Sequence, residues 1–250
     1  MRFTVWISIL LVIMAGPVYG MDRQEADILF DQAGQAYRKA EYEQAITLYA
    51  QILEGGWESG PLYYNLASSY FRMGDLGRAI LNYERARHLV PRDPELRAND
   101  RYARSLRNPA AIEVPQTSLF RFLNIESGFL SVKEMTGILL VIFIFLGIAH
   151  ALYLFGILPP KMFRAFFVGL TVIFVVFLFS VTTITIQNRN RAIILKETEA
   201  RFEPRQEATA HFSLVPGQAV KITGVEDQWL KVKRMDGKSG WVKKDALEKI

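Results

Sequence analysis

The sequence predicts a chain of three parts: an all-α helical repeat, a two-helix hairpin that crosses a membrane, and a small all-β barrel at the C-terminus. Three observations predict it. Small and aromatic residues recur at a spacing of 34 between residues 26 and 93. Two apolar runs without formal charge follow, at 135–158 and 165–186. Beyond residue 190 the apolar period changes to two.

The start of the chain reads as a leader. Met1-Arg2 precedes an apolar core, and Gly16-Pro17-Val18-Tyr19-Gly20 supplies small residues for a cut after Gly20. Residues 1–20 are expected to be a secretory signal peptide, too short to span. The net charge of +5 is uneven: residues 21–110 carry twelve Lys/Arg against thirteen Asp/Glu, and 187–250 thirteen against nine. Nothing forms the dense basic and aromatic footprint of a nucleic-acid binder. The absence of cysteine excludes disulfides, thiolate chemistry and Cys-based metal sites.

In the repeat, Ala45 and Ala79, Ile46 and Ile80, Tyr49 and Tyr83, Ala33 and Ala67, and Tyr37 and Phe71 are each 34 apart. The alanines let paired helices approach, Tyr49 and Tyr83 fill the space beside them, Gly74 turns the chain and Pro91 ends a helix. Helices are expected at 25–39, 41–54, 61–73, 75–89 and 94–107, the last started by Asp93 as N-cap and Pro94. Tyr63, Leu66-Ala67, Tyr70, Gly74-Asp75, Ala79, Tyr83, Ala86 and Pro91 make the second copy resemble the tetratricopeptide repeat; the first copy has Ala40 for the turn glycine and Trp57 for the closing proline. The resemblance implies a solenoid of two repeats (26–59 and 60–93) and a capping helix (94–107). Its concave face would carry Phe30, Tyr37, Arg38, Tyr64, Ser68, Phe71, Arg72 and Tyr102, which suit a peptide of apolar and acidic character. The other reading makes Tyr37 and Phe71 packing residues. So short a stack calls for a partner to cover its exposed surface.

Residues 109–134 read as a linker followed by an interfacial helix, with packing on the last repeat helix as the competing reading. Two runs at 135–158 and 165–186 exceed the ~20 residues a membrane span needs, and the short turn at 159–164 makes them a hairpin. Both flanking regions then face one compartment. Lys161 and Arg164 place the turn in the cytoplasm; Arg189 and Arg191 speak against that, and the leader decides it. His150, ionisable at membrane depth without a charged partner, reads as a contact to a threonine of the second run or to a neighbouring protein.

Ala192–Leu195, Val220–Ile222, Trp229–Val232 and Gly240–Val242 are short strands, and Asp236-Gly237 is a hairpin turn. The string from Leu214 through Pro216-Gly217, Trp229-Leu230-Lys231-Val232 and Asp236-Gly237-Lys238-Ser239-Gly240-Trp241-Val242 resembles the bacterial SH3-like domain. That resemblance covers 190–250, sets Arg201, Trp229 and Trp241 at a ligand-facing rim, and implies peptidoglycan or a protein as ligand. The alternative puts both tryptophans in a structural core.

In this order the modules resemble the BatE-type family of the aerotolerance (Bat) operons. The resemblance implies a non-enzymatic scaffold in the bacterial inner membrane, with both flanking domains periplasmic. Its implied partners are von Willebrand factor A-type and other Bat membrane proteins and, indirectly, a MoxR-type ATPase, in envelope stress or aerotolerance. A cell-wall sensor binding peptidoglycan is the alternative. No cofactor or metal is expected: the three histidines sit in three different modules, and no phosphate-binding glycine loop is present.

Overall fold

A computed structural model describes residues 21–106 and 130–250. The expected leader and linker residues 109–129 lie outside the described residues. The chain divides after Glu58 into two units, each with its own packing.

In the first unit, α1 (Arg23–Arg38) and α2 (Tyr42–Glu54) form a pair. The Asp22 carboxylate caps α1, accepting from the Glu25 amide at 2.7 Å. Ala33 and Ala45 are fully buried where the helices meet, and Phe30 packs edge-on against buried Tyr49 at 5.6 Å. Trp57, at the place of a closing proline, donates its indole N–H to the Met21 carbonyl at 2.7 Å. The turn is held by Ala40 at φ 64°, in the left-handed region.

In the second unit, α3 (Gly60–Arg72), α4 (Leu76–Leu89) and α5 (Pro94–Ser105) follow, capped by Ser59, Asp75 and Asp93. The capping hydroxyl and carboxylates accept backbone amides at 2.9–3.2 Å. Gly74, at φ 80°, makes the α3–α4 turn that Ala40 makes in the first unit. In α4, every residue from Ala79 to Glu84 is buried. A run of six covers all sides of a helix. Its cover comes from α3, α5, the first strand of the β module and the start of the next helix.

Helix α6 is Val132–Leu154 and α7 is Pro160–Arg189. These bounds correct the expected spans. Ser131 starts α6 earlier through a capping box with Glu134, and Gly156, at φ 71°, ends it before residue 158. Pro160 is well placed in the first turn of a helix, so Lys161 and Arg164 belong to α7 and the turn shrinks to 155–159. Both helices are long and apolar enough to cross a membrane. Phe143, Phe145, Val168 and Phe179 are all more than half exposed among the described residues. Apolar surface exposed on every side of a helix pair is the mark of a membrane anchor.

Seven antiparallel strands complete the unit: β1 (Arg191–Ile194), β2 (Thr198–Arg201), β3 (Ala210–Leu214), β4 (Ala219–Glu226), β5 (Trp229–Lys233), β6 (Ser239–Lys243) and β7 (Leu247–Lys249), in the order β3-β2-β6-β5-β4-β1-β7. All seven put residues into one core, among them Ile194, Ala200, Leu214, Ile222, Val232, Val242 and Leu247, so the sheet coils round it. The Asp236-Gly237 turn is a three-residue connection: Arg234 N–H donates to the Lys238 carbonyl at 2.9 Å, and Gly237 takes φ 92°.

A left-handed conformation costs a residue with a Cβ about 1–2 kcal/mol, and glycine's extra chain entropy returns part of that. Ala40→Gly is expected to stabilise the first unit by about 0.5–1 kcal/mol, and Gly74→Ala to destabilise the second by about 1 kcal/mol. Hydrogen exchange of α1–α2 and of α3–α4 in the full chain measures both; a loss of protection in Ala40→Gly would contradict the strain.

Candidate functional site

Within the second unit, four of the five residues expected on the repeat's ligand face converge. Tyr64, Ser68 and Phe71 sit at i, i+4 and i+7 on α3, on one face. Tyr64 accepts a hydrogen bond from the Asn99 amide of α5 at 2.6 Å. The Ser68 hydroxyl donates to the Tyr64 carbonyl at 2.9 Å and lies 3.2 Å from the Tyr83 hydroxyl. Phe71 packs on Tyr102 at 5.7 Å, leaving Tyr102 58% exposed. Arg72 is exposed beside them. In the first unit Phe30 packs on Tyr49, Tyr37 packs edge-on against Tyr42 at 5.4 Å, and Arg38 is exposed. The packing role weighed for Tyr37 and Phe71 is thus present at both.

The β module places Arg201, Trp229 and Trp241 on its outer face. Alternation along β5 and β6 sends Leu230, Val232 and Val242 into the core and Trp229 and Trp241 outward. The core reading of the tryptophans is therefore corrected: both are half-buried on the surface. Arg201 is the cross-strand partner of Trp241. The Lys231 ammonium lies 5.7 Å from the Trp241 ring centre and that of Lys243 6.0 Å from Trp229. Arg201 donates to the Ala208 carbonyl at 2.5 Å, which closes the 202–209 loop. Phe202, Glu203, Arg205, Glu207, Ala208 and Thr209 line a cavity of about 510 Å³ there. Phe202, 58% exposed, stacks on His211 at 4.2 Å beside it.

His150 lies against Phe163 and Phe167, at 6.0 and 6.4 Å between ring centres. Among the described residues no contact of His150 with a threonine of α7 is present, and Thr171, Thr182 and Thr183 each donate to a carbonyl one turn back.

Sequence reasoning missed the seam between helices and sheet. A Cβ on Gly77 of α4 would run into the Leu195 carbonyl, and Gly217 sits against Ile80. Ile193 points away from the sheet's core yet is fully buried. Arg85 donates to Glu248 and to the Lys249 carbonyl of β7, both at 2.7 Å. At the centre Glu84 is 1% exposed and accepts from Arg87 and Arg104 at 2.5 Å and from Arg191 of β1 at 3.1 Å. Burial alone would raise its pKa; Arg104, Arg87 and Arg191 outweigh burial and hold the carboxyl far below the ordinary carboxylate range. Neighbouring Asp100, bound to Arg104 at 2.8 Å, is instead pushed up by burial. His88 lies one turn on, its Nδ1 3.3 Å from the Asn188 amide of α7. Burial holds His88 below the ordinary value of 6.5; Glu84 opposes this, and Arg87 and Arg191 add to it. A cleft of about 570 Å³ opens along the seam, between Asp75, Leu76 and Arg78 on one side and Lys196, Pro216 and Asp245 on the other.

Removing one member of a buried ion cluster strands the others, at about 3–5 kcal/mol. Glu84→Ala is expected to cost that much and to deprotect β1 in hydrogen exchange. Lys196→Ala, which removes an exposed pair with Asp245, should stay within about 0.5 kcal/mol. Equal effects would contradict a seam held by Glu84. His88 adds a pH dependence. Its folded-state pKa is depressed, so its contribution is complete above the ordinary imidazole value and is lost as pH falls below it. A protonated ring also cannot accept from Asn188. The denaturant midpoint of the seam should fall between pH 7.5 and about pH 5, and His88→Gln should flatten that slope.

Residues 197–248 match the family model described as the bacterial SH3 domain. No curated protein matches the chain. The β module is thus similar to a bacterial SH3 domain from the turn before β2 to β7, and β1, which supplies Arg191 to the seam, precedes the matched residues.

Proposed function

We propose that this chain is a non-enzymatic scaffold, anchored by the α6–α7 hairpin, which binds protein partners through tetratricopeptide-type helices and the SH3-like module. The observation that carries this reading is the seam. It makes α3–α5 and the β module one body at the open end of an apolar hairpin, with recognition-type aromatics exposed on both parts. The tetratricopeptide reading is supported by burial: Ala33, Ala45, Ala67 and Ala79, the paired small positions of the two copies, are all fully inaccessible. The order of parts supports a BatE-type role in a Bat and MoxR-associated envelope stress or aerotolerance complex. The partners would be von Willebrand factor A-type and other Bat membrane proteins. Lys161 and Arg164 at the closed end favour a cytoplasmic turn and periplasmic flanking modules.

A second reading rests on the match of residues 197–248 to the bacterial SH3 domain: the β module binds peptidoglycan and the chain senses the cell wall. One experiment separates the two. A photo-crosslinker at exposed Tyr102, in membranes carrying the full chain, is expected to capture an integral membrane protein bearing a von Willebrand factor A-type domain. Recovery of cell-wall fragments alone, with Arg201→Ala and Trp241→Ala abolishing sedimentation on purified sacculi, would replace the scaffold by the sensor.

A further inference from the structure

The outer face of the sheet carries more cations than the expected rim of Arg201, Trp229 and Trp241 accounts for. β1 begins at Arg191, five residues past Ile186, where the apolar stretch of α7 ends. The register sets Arg191 opposite Lys221, and Lys221 opposite Lys233. β4 and β5 therefore run on past the start of β1, out to Glu226 and back from Trp229. At ~3.3 Å per residue, their hairpin projects about 15 Å beyond Arg191, at the end of the sheet where the chain leaves the apolar helix. Its tip carries exposed Glu226, opposite Trp229, and turns through Asp227 at φ 44°.

The outward residues of that part form rows across the strands. One row is Lys221, Lys233 and Ser239. The next is Lys231, Trp241 and Arg201. The last is Glu226, Trp229 and Lys243. Five cations and two tryptophans thus share this face, with Glu226 at its rim and Glu199 paired to Arg201 at 3.3 Å. It is neither a pocket nor the surface that meets α4.

We propose that this face docks on the anionic surface of the bilayer in which the chain is anchored, with Trp229 and Trp241 at headgroup level and the lysines on lipid phosphates. Tryptophan is suited to that level, since its ring is apolar with one polar edge. Each basic group near an anionic surface adds to the attraction. The short tether to α7 makes docking intramolecular, so weak individual contacts suffice. A free anionic polymer would have to compete with a surface already held within reach.

The chain contains no cysteine, so a single introduced thiol reports without background. Glu226→Cys, on the outward row with Trp229 and spin-labelled in the full chain, is placed in nanodiscs of phosphatidylcholine with and without phosphatidylglycerol. Collision with a water-soluble nickel chelate reads its exposure. The label is expected to become shielded when phosphatidylglycerol is present, and a Glu197→Cys label, at the other end of β1, to stay accessible. Lys231→Glu with Lys243→Glu should lower the docked-to-free ratio by at least about tenfold. The proposal is overturned if the Glu226 label is equally accessible in both lipids, if charge reversal leaves its shielding unchanged, or if shielding appears only on adding sacculi or a partner protein.

Discussion

One buried carboxylate constrains the second unit. Glu84 has almost no contact with water, and an isolated ion in that position would cost several kcal/mol. It is tolerable because three guanidiniums reach it from three places: Arg87 from its own helix, Arg104 from α5 and Arg191 from β1. None of the three alone would serve, since each keeps part of its side chain in solvent and a single partly screened pair is worth little. The cluster therefore specifies an arrangement more than it adds stability. Any packing of helices and sheet that left Arg191 elsewhere would leave Glu84 short of a partner.

The same constraint explains why α4 is buried on the side that bears Gly77, Ile80 and Glu84. A helix in a free-standing repeat would show polar residues there. Here that side lies under β1, where Gly77 and Gly217 remove the Cβ atoms that would hold the layers apart. A short helical stack needs its exposed surface covered, and for α4 the cover is the chain's own β module.

The elements set by local chemistry were legible in the sequence. Asp93-Pro94, the alanine pairs and the two apolar runs each act within one or two turns, so reading them requires no knowledge of distant contacts. The errors came where a neighbouring residue outweighed the apolar count: Ser131 and Glu134 start α6 early, Gly156 stops it, and Pro160 draws Lys161 into α7. The core reading of Trp229 and Trp241 gave way because alternation, not size, decides which side of a strand is buried. The seam was not legible. Glu84 and Arg191 are separated by the whole hairpin, and a lone glutamate in a helix pattern is most often solvated. Its trace in the sequence was the run from Ala79 to Leu81 continuing through Glu84 with no clear polar face. That pattern marks a helix covered all round and does not say by what.

Because both ends of the hairpin enter the second unit, the spans and the seam are mechanically linked. α6 is tied at its start through Glu134 to Arg92, just beyond α4, and α7 ends at Asn188 beside His88. A change in the angle between the spans must therefore be absorbed at one of these two contacts. The first is a half-exposed ion pair and yields at little cost. The second adjoins the Glu84 cluster, whose disruption costs about 3–5 kcal/mol. Reversing a two-state population from 1:99 to 99:1 takes about 5.5 kcal/mol. Thermal motion alone thus leaves the seam closed, and a partner opens it only by binding the open form more tightly than the closed one by about that much. The hairpin is then not a passive anchor in energetic terms: its α7 end abuts an interface whose opening is costly.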